Sequence, residues 1–185
     1  MSAVPALADA LKRSDVVHDR KAIERAIGEM AVRIRNDYAG SVPLYLTVMH
    51  GGLPFAGQLA LAIGERGLDL EFDYLHASRY RGALSGGELH WKHRPATALR
   101  GRRVLLVDDI VDEGHTLFQV REWARAEGAA EVRIAALAVK QHNRCVPDLV
   151  ADYAGLRVPD RYVYGYGMDY YEQGRNLPAI YALRE

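Results

Sequence analysis

The residues best suited to chemistry lie in one segment, Val104-Leu105-Leu106-Val107-Asp108-Asp109-Ile110-Val111-Asp112-Glu113-Gly114-His115-Thr116-Leu117. Its apolar start has the length and composition of a buried strand, which here delivers two adjacent carboxylates. A third carboxylate, Asp112, follows with Glu113, Gly114 and Thr116 before helical spacing begins. Amides of a turn that opens a helix form an anion cradle, and a Thr hydroxyl adds a further donor. Carboxylates beside such a cradle would repel a bare phosphate. A ligand that also offers hydroxyls or a metal ion resolves the conflict, and a sugar phosphate does both.

Two more strand exits carry polar groups: His50-Gly51-Gly52 follows the apolar run 42–49, and Lys140 follows the run 132–139. Ligands of open parallel sheets bind beyond the carboxyl ends of the strands, so these groups are expected on one edge. The elements that must hold them there are legible. Asp19 is a suitable N-cap for a helix whose apolar stripe is Ile23, Ile27, Met30 and Ile34, with Gly40 as its stop. Residues 53–66 read as a helix with Pro54 in its first turn and Gly67 at its end. Strands are expected at 42–49, 70–77, 103–107 and 132–139, a helix at 115–127 before Gly128, and a short aromatic strand at 162–166. Strand–helix alternation with short apolar strands predicts an α/β fold with a parallel sheet flanked by helices. Residues 78–100 hold Gly82, Gly86, Gly87, His90 and His93 with little periodicity, and read as a long loop, part of which could form a hairpin.

The segment from Val104 to Leu117 resembles the signature of the phosphoribosyltransferases, which bind 5-phosphoribosyl-1-pyrophosphate. The run Val158-Pro159-Asp160-Arg161-Tyr162-Val163-Tyr164-Gly165-Tyr166-Gly167-Met168-Asp169-Tyr170 resembles the base-binding segment of the hypoxanthine-guanine members, and similarity continues through Glu172, Arg175, Asn176 and Leu177. The resemblance covers nearly the whole chain and is weakest in residues 1–15 and 81–100. It implies a type I phosphoribosyltransferase-like fold: one domain over residues 1–185, a mobile lid loop at 78–100 and a small base-binding hood at 156–185. It also implies transfer of the phosphoribosyl group to hypoxanthine or guanine, giving IMP or GMP plus pyrophosphate in purine salvage.

Residue roles follow from the same resemblance. Asp108 and Asp109 would bind the ribose hydroxyls or the waters of a Mg2+ ion. Glu113, Gly114, His115, Thr116 and Leu117, with Asp112, would form the loop around ribose and the 5-phosphate. Asp112 would be the general acid/base for the purine imidazole proton; an Asp here could also cap the following helix. Tyr162 would stack on the purine, Val163 would read its edge through main-chain groups, and Lys140 would donate to its exocyclic oxygen. Asp169 would lie at the purine and hold the metal, and His50, Gly51, Gly52 and Arg175 would surround the pyrophosphate. Ser78, Arg79 and Tyr80 would belong to the lid, which would exclude water from the activated sugar. Three positions depart from the family pattern. Arg79 interrupts the Ser-Tyr pair of the lid, His50 stands where lysine is common, and Glu113 stands where threonine is common. Glu113 is therefore expected to turn its charge outward and offer only its amide.

Composition narrows the remaining possibilities. The 185 residues carry 24 Lys and Arg against 24 Asp and Glu, and 49% are hydrophobic, which excludes a disordered chain and suits one domain. Charge neutrality argues against a nucleic-acid partner. No apolar run approaches the roughly 18–20 residues of a membrane span, and the N-terminus lacks the pattern of a secretory signal. Cys145 has no partner, consistent with a cytoplasmic protein. Relatives of this kind form homodimers or homotetramers, so self-association is expected. A dinucleotide fingerprint is unsupported because Gly165-Tyr166-Gly167 has no third glycine. His90 and His93 without a third ligand make a weak metal site. Two alternatives stay open: a non-catalytic regulator that senses phosphoribosyl pyrophosphate, and an enzyme acting on another base such as xanthine or a pyrimidine.

Overall fold

The computed structural model describes residues 5–79 and 89–184. In chain order the elements are α1 (Leu7–Lys12), β1 (Ser14–His18), α2 (Arg20–Asp37), β2 (Leu44–Val48), α3 (Leu53–Gly64), β3 (Glu71–Arg79), β4 (Leu89–His93), β5 (Arg103–Val111), α4 (His115–Ala126), β6 (Glu131–Lys140), β7 (Tyr153–Val158), β8 (Val163–Tyr164) and β9 (Ile180–Leu183). The main sheet has the order β4-β3-β2-β5-β6-β7, parallel throughout except for β4. A smaller antiparallel sheet, β1-β9-β8, stands above it.

All five residues of β2 are buried, because β3 and β5 flank it and helices cover both faces. The two-residue period of a strand sorts these side chains. Tyr45, Leu105 and Val107 join the core under α2 and α3, while Leu44, Leu46, Val104 and Leu106 join the one under α4. Helix α2 starts where expected: the Asp19 carboxylate accepts from the Ala22 amide at 2.8 Å, and Ile23, Ile27, Met30 and Ile34 are buried. Gly40, Gly67 and Gly128 take positive φ at the stops assigned to them. The chain reverses there through the left-handed region that glycine tolerates.

Part of residues 78–100 forms the antiparallel pairing that the sequence left open as a hairpin: β3 runs on to Arg79, and β4 pairs with it, Ser78 opposite His90 and Arg79 opposite Leu89. The structure differs from the sequence expectation elsewhere. Strand β5 continues past Val107 to Val111, so Asp108 and Asp109 lie within the sheet. The aromatic strand shrinks to Val163–Tyr164, because positive φ at Gly165, Tyr166 and Gly167 turns the chain at once. Residues 153–158 pair with β6 in the main sheet, so the upper sheet begins later than residue 156 and takes β1 from the N-terminal end. Among the described residues, no helix is long and apolar enough to cross a membrane.

Candidate active site

Parallel strands β2, β5 and β6 end on the same edge, and the upper sheet overhangs it. Between them lies a cleft of about 840 Å³. Its floor is the end of β5. Asp109 is buried, and its carboxylate packs against the turn after β2: a Cβ built on Gly51 would lie 2.1 Å from Asp109 Oδ2. From above, Gly167 closes the same contact, where a Cβ would lie 2.1 Å from the Gly51 carbonyl oxygen. Gly51 therefore makes room for a carboxylate. Gly52 serves the sheet, because its Cβ would meet Val48 O at 2.6 Å and Val107 O at 2.9 Å; it is not on the cleft wall. The peptide bond between Met49 and His50 is cis.

Asp108 Oδ1 accepts from the Asp109 amide at 2.9 Å. Burial, then the neighbouring Asp109 charge, pushes the Asp108 carboxyl well above the usual carboxylate range; burial raises Asp109 as well. Two adjacent carboxylates in this position are suited to ribose hydroxyls or a hard cation. Among the described residues, no group of three or more His, Cys, Asp or Glu side chains is arranged to hold a metal ion by itself.

Past β5 the chain turns into α4. Gly114 occupies the N-cap position with φ of 79° and no side-chain capping bond, so Asp112 does not cap. The intrahelical ladder starts with Phe118 N donating to Gly114 O at 2.9 Å. The amides of residues 115–117 precede that ladder, which leaves donors for an anion at a positive helix end. Gly114, His115, Thr116 and Leu117 all line the cleft. Glu113 is half-exposed and turns its carboxylate towards His115 Nε2 (3.5 Å) and Arg144 Nε (3.9 Å), while its carbonyl accepts from Val146 N at 2.8 Å.

Asp112 faces the end of β6. Its Oδ2 accepts from Lys140 Nζ at 2.6 Å, and its Oδ1 lies 2.7 Å from His142 Nε2. Burial would raise this carboxyl, but the hydrogen bonds from Lys140 and His142 outweigh it and hold the group below its ordinary value. His142 was not among the residues singled out from the sequence.

The upper wall comes from the segment after β7. Tyr162 keeps 44% of its surface exposed, and its hydroxyl donates to Asp169 O at 3.3 Å. Its ring lies parallel to Tyr171 at 6.3 Å and edge-on to Tyr170 at 5.7 Å, which fixes a flat apolar face at the cleft. Val163 is buried in β8 opposite Ala182. Asp169 Oδ1 pairs with Arg175 Nη2 at 2.8 Å, its Oδ2 accepts from the Glu172 amide at 2.9 Å, and Arg175 Nη1 donates to Gly167 O at 2.9 Å.

At the far end stand His50, Ser78, and two side chains not foreseen, His76 and Lys92. The His50 and His76 rings meet edge-on at 4.3 Å. Burial, together with the nearby Lys92, His50 and Arg175 charges, holds His76 below the ordinary histidine value. His76 shares its strand face with Ser78, two residues on. Arg79 closes β3, and Tyr80 of the expected lid lies outside the described residues, as do residues 81–88.

The cleft thus gathers an anion-binding turn, a buried acidic pair, a lysine-paired carboxylate and an aromatic face. Comparison with known proteins places this combination. A family model described as a phosphoribosyl transferase domain matches residues 14–170. A hypoxanthine-guanine phosphoribosyltransferase of Streptococcus pneumoniae is 36% identical over 176 residues, covering 95% of this chain and 94% of its own. One from Bacillus subtilis is 34% identical over 170 residues, covering 91% and 92%. Among solved structures, a hypoxanthine phosphoribosyltransferase from Staphylococcus aureus superposes with a TM-score of 0.87 at 29% identity, covering 100% of this chain and 96% of its own.

Proposed function

The chain belongs to the phosphoribosyltransferase family, and from that premise we propose that its cleft joins a 6-oxopurine to phosphoribosyl pyrophosphate. It is a transferase of the hypoxanthine-guanine type and serves purine salvage. The purine ring nitrogen forms the new bond to the anomeric carbon of ribose, and the bond from that carbon to pyrophosphate breaks. The observation that carries this reading is the Asp112–Lys140 pair opposite Tyr162, on the same cleft as the phosphate turn.

Each residue then has a physical task. The amides of Gly114, His115, Thr116 and Leu117 hold the 5-phosphate, with Glu113 contributing its amide alone. Asp108 and Asp109 fix the ribose hydroxyls. Tyr162 covers the purine face, main-chain groups of Val163 read its edge, and Lys140 Nζ donates to its exocyclic oxygen. A base without that oxygen would offer Lys140 nothing in exchange for its bond to Asp112, which discriminates against it. Asp112, already ionised, accepts the imidazole proton of the purine as the new bond forms. His50, Gly51 and Arg175 border the pyrophosphate, and Ser78, Arg79 and Tyr80 belong to the lid, whose expected span of 78–100 is shortened by the β3–β4 pairing.

The carboxylates of Asp108, Asp109 and Asp169 fit Mg2+, which usually binds through one or two carboxylates plus substrate phosphates. When bound, Mg2+ neutralises charge developing on the departing pyrophosphate. The protein is a cytoplasmic homodimer or homotetramer in this reading, and exposed Phe72 and Tyr74 on β3 leave apolar surface that supports self-association. The test is Asp112→Ala. Turnover should fall by about 10²–10⁴, the weight of a general acid/base, with the thermal midpoint retained. Unchanged turnover would remove Asp112 from the chemistry.

A further inference from the structure

His142 has no task in the mechanism above, yet it is the most enclosed side chain touching the reacting carboxylate. Its side chain is 2% exposed, against 13% for Lys140 and 44% for Asp112. The tautomer of its neutral ring follows from its second contact. The Arg144 amide donates to His142 Nδ1 at 3.1 Å, and a main-chain N–H cannot accept, so Nδ1 carries the lone pair. The neutral ring then has its proton on Nε2, which lies 2.7 Å from Asp112 Oδ1. A doubly protonated ring would set Nδ1–H against the Arg144 N–H. The loop therefore presents a fixed donor to Asp112.

The two partners of Asp112 differ in what substrate binding does to them. Lys140 Nζ must turn to the exocyclic oxygen of the base, which releases Oδ2 at the moment it must accept the imidazole proton. His142 has no such second duty, and its ring is packed in place. We propose that His142 is a positioning residue that keeps Asp112 ionised and aimed at the base once Lys140 has left it. That role rests on Asp112 being the acid/base group. The proton passes from the purine ring nitrogen to Asp112 Oδ2 while His142 Nε2–H stays on Oδ1.

Other charged groups around Asp112 are accounted for. Lys140 faces it from β6, Glu113 follows it on its own loop, His115 opens α4, and Arg144 stands beyond His142. Arg144 is held in a two-pronged pair with Asp160, at 2.7 and 2.8 Å, from the segment leading to β8.

The test is a cycle of wild type, His142→Leu, Asp112→Asn and the double variant, with His142→Gln as the conservative replacement. His142→Leu should lower kcat by about 10- to 100-fold, the weight of one hydrogen bond to a charged group, with KM for phosphoribosyl pyrophosphate unchanged. The acid limb of its kcat profile should move to higher pH, because Asp112 loses a donor that holds its carboxyl down. The Gln amide can replace Nε2–H, so His142→Gln should recover most of kcat and return the acid limb. In the Asp112→Asn background, removing His142 should have no further effect on kcat. Wild-type kcat and an unmoved acid limb in His142→Leu would overturn the proposal. So would losses that multiply in the double variant, since that marks a structural effect independent of Asp112. If Asp112→Asn alone left kcat unchanged, the acid/base reading itself would fall, and the proposal with it.

Discussion

Gly51 offers a direct perturbation of the site floor. A methyl group there would sit 2.1 Å from Asp109 Oδ2, 2.7 Å from Cγ and 3.1 Å from Oδ1. Ordinary contact begins near 3.4 Å, so the carboxylate must move by more than an ångström. Asp109 is buried, with the Gly51 turn on one side and Gly167 against its Cβ. Forcing a group into a packed site costs about 1–3 kcal/mol, so Gly51→Ala should lose that much in urea unfolding. The clash is with one side chain, which makes the effect conditional. Asp109→Ala removes Cγ and both oxygens, and in that background Gly51→Ala should be nearly neutral. The expected coupling between the two changes is about 1–3 kcal/mol. Additivity of the two changes to within about 0.5 kcal/mol would refute the reasoning. A Gly51→Ala protein of unchanged stability, impaired only in KM for phosphoribosyl pyrophosphate, would instead restore the simpler view that the glycine serves ligand approach.

Gly114→Ala meets two obstacles, a φ of 79° and a Cβ position 2.1 Å from Leu149 Cδ2. It should lower stability by about 2–4 kcal/mol in urea unfolding, and a loss under 1 kcal/mol would contradict the packing described. Glu131 is held below its ordinary value because hydrogen bonds from Arg103 and Arg133 outweigh burial. A lowered carboxyl stabilises above its unfolded value, about pH 4.3, and that contribution is lost as pH falls through the folded value. The stability gap between wild type and Glu131→Gln should therefore be full at neutral pH and close in acid; a gap constant with pH would refute it.

The sequence disclosed what local physics determines. Asp19, the Ile23–Ile34 stripe and Gly40 define α2 by themselves, and the apolar run at 104–107 could only be a buried strand. Edge elements are weakly marked because tertiary pairing makes them. The sequence leaves a hairpin within 78–100 only as a possibility, and β4 exists because it pairs with β3 and Trp91 packs on Trp123 at 4.7 Å. Strands β1 and β9 are distant in sequence and stabilise each other only once folded. Most predicted site residues meet in the cleft, since strand exits in a parallel sheet converge. Gly52 does not, because glycine spacing cannot tell a ligand's approach from a backbone's. His142 is not legible in the sequence because it lies beyond the end of β6, where no strand or helix period assigns its side chain a direction.

The most direct measurement is product formation by purified protein with magnesium and phosphoribosyl pyrophosphate, offered hypoxanthine, guanine, xanthine and uracil in turn. IMP and GMP should form with equal amounts of pyrophosphate, and uracil should give nothing, since Lys140 and Tyr162 would hold a 6-oxopurine. Binding of phosphoribosyl pyrophosphate without any nucleotide from hypoxanthine or guanine would contradict the assignment and leave a sensor in its place.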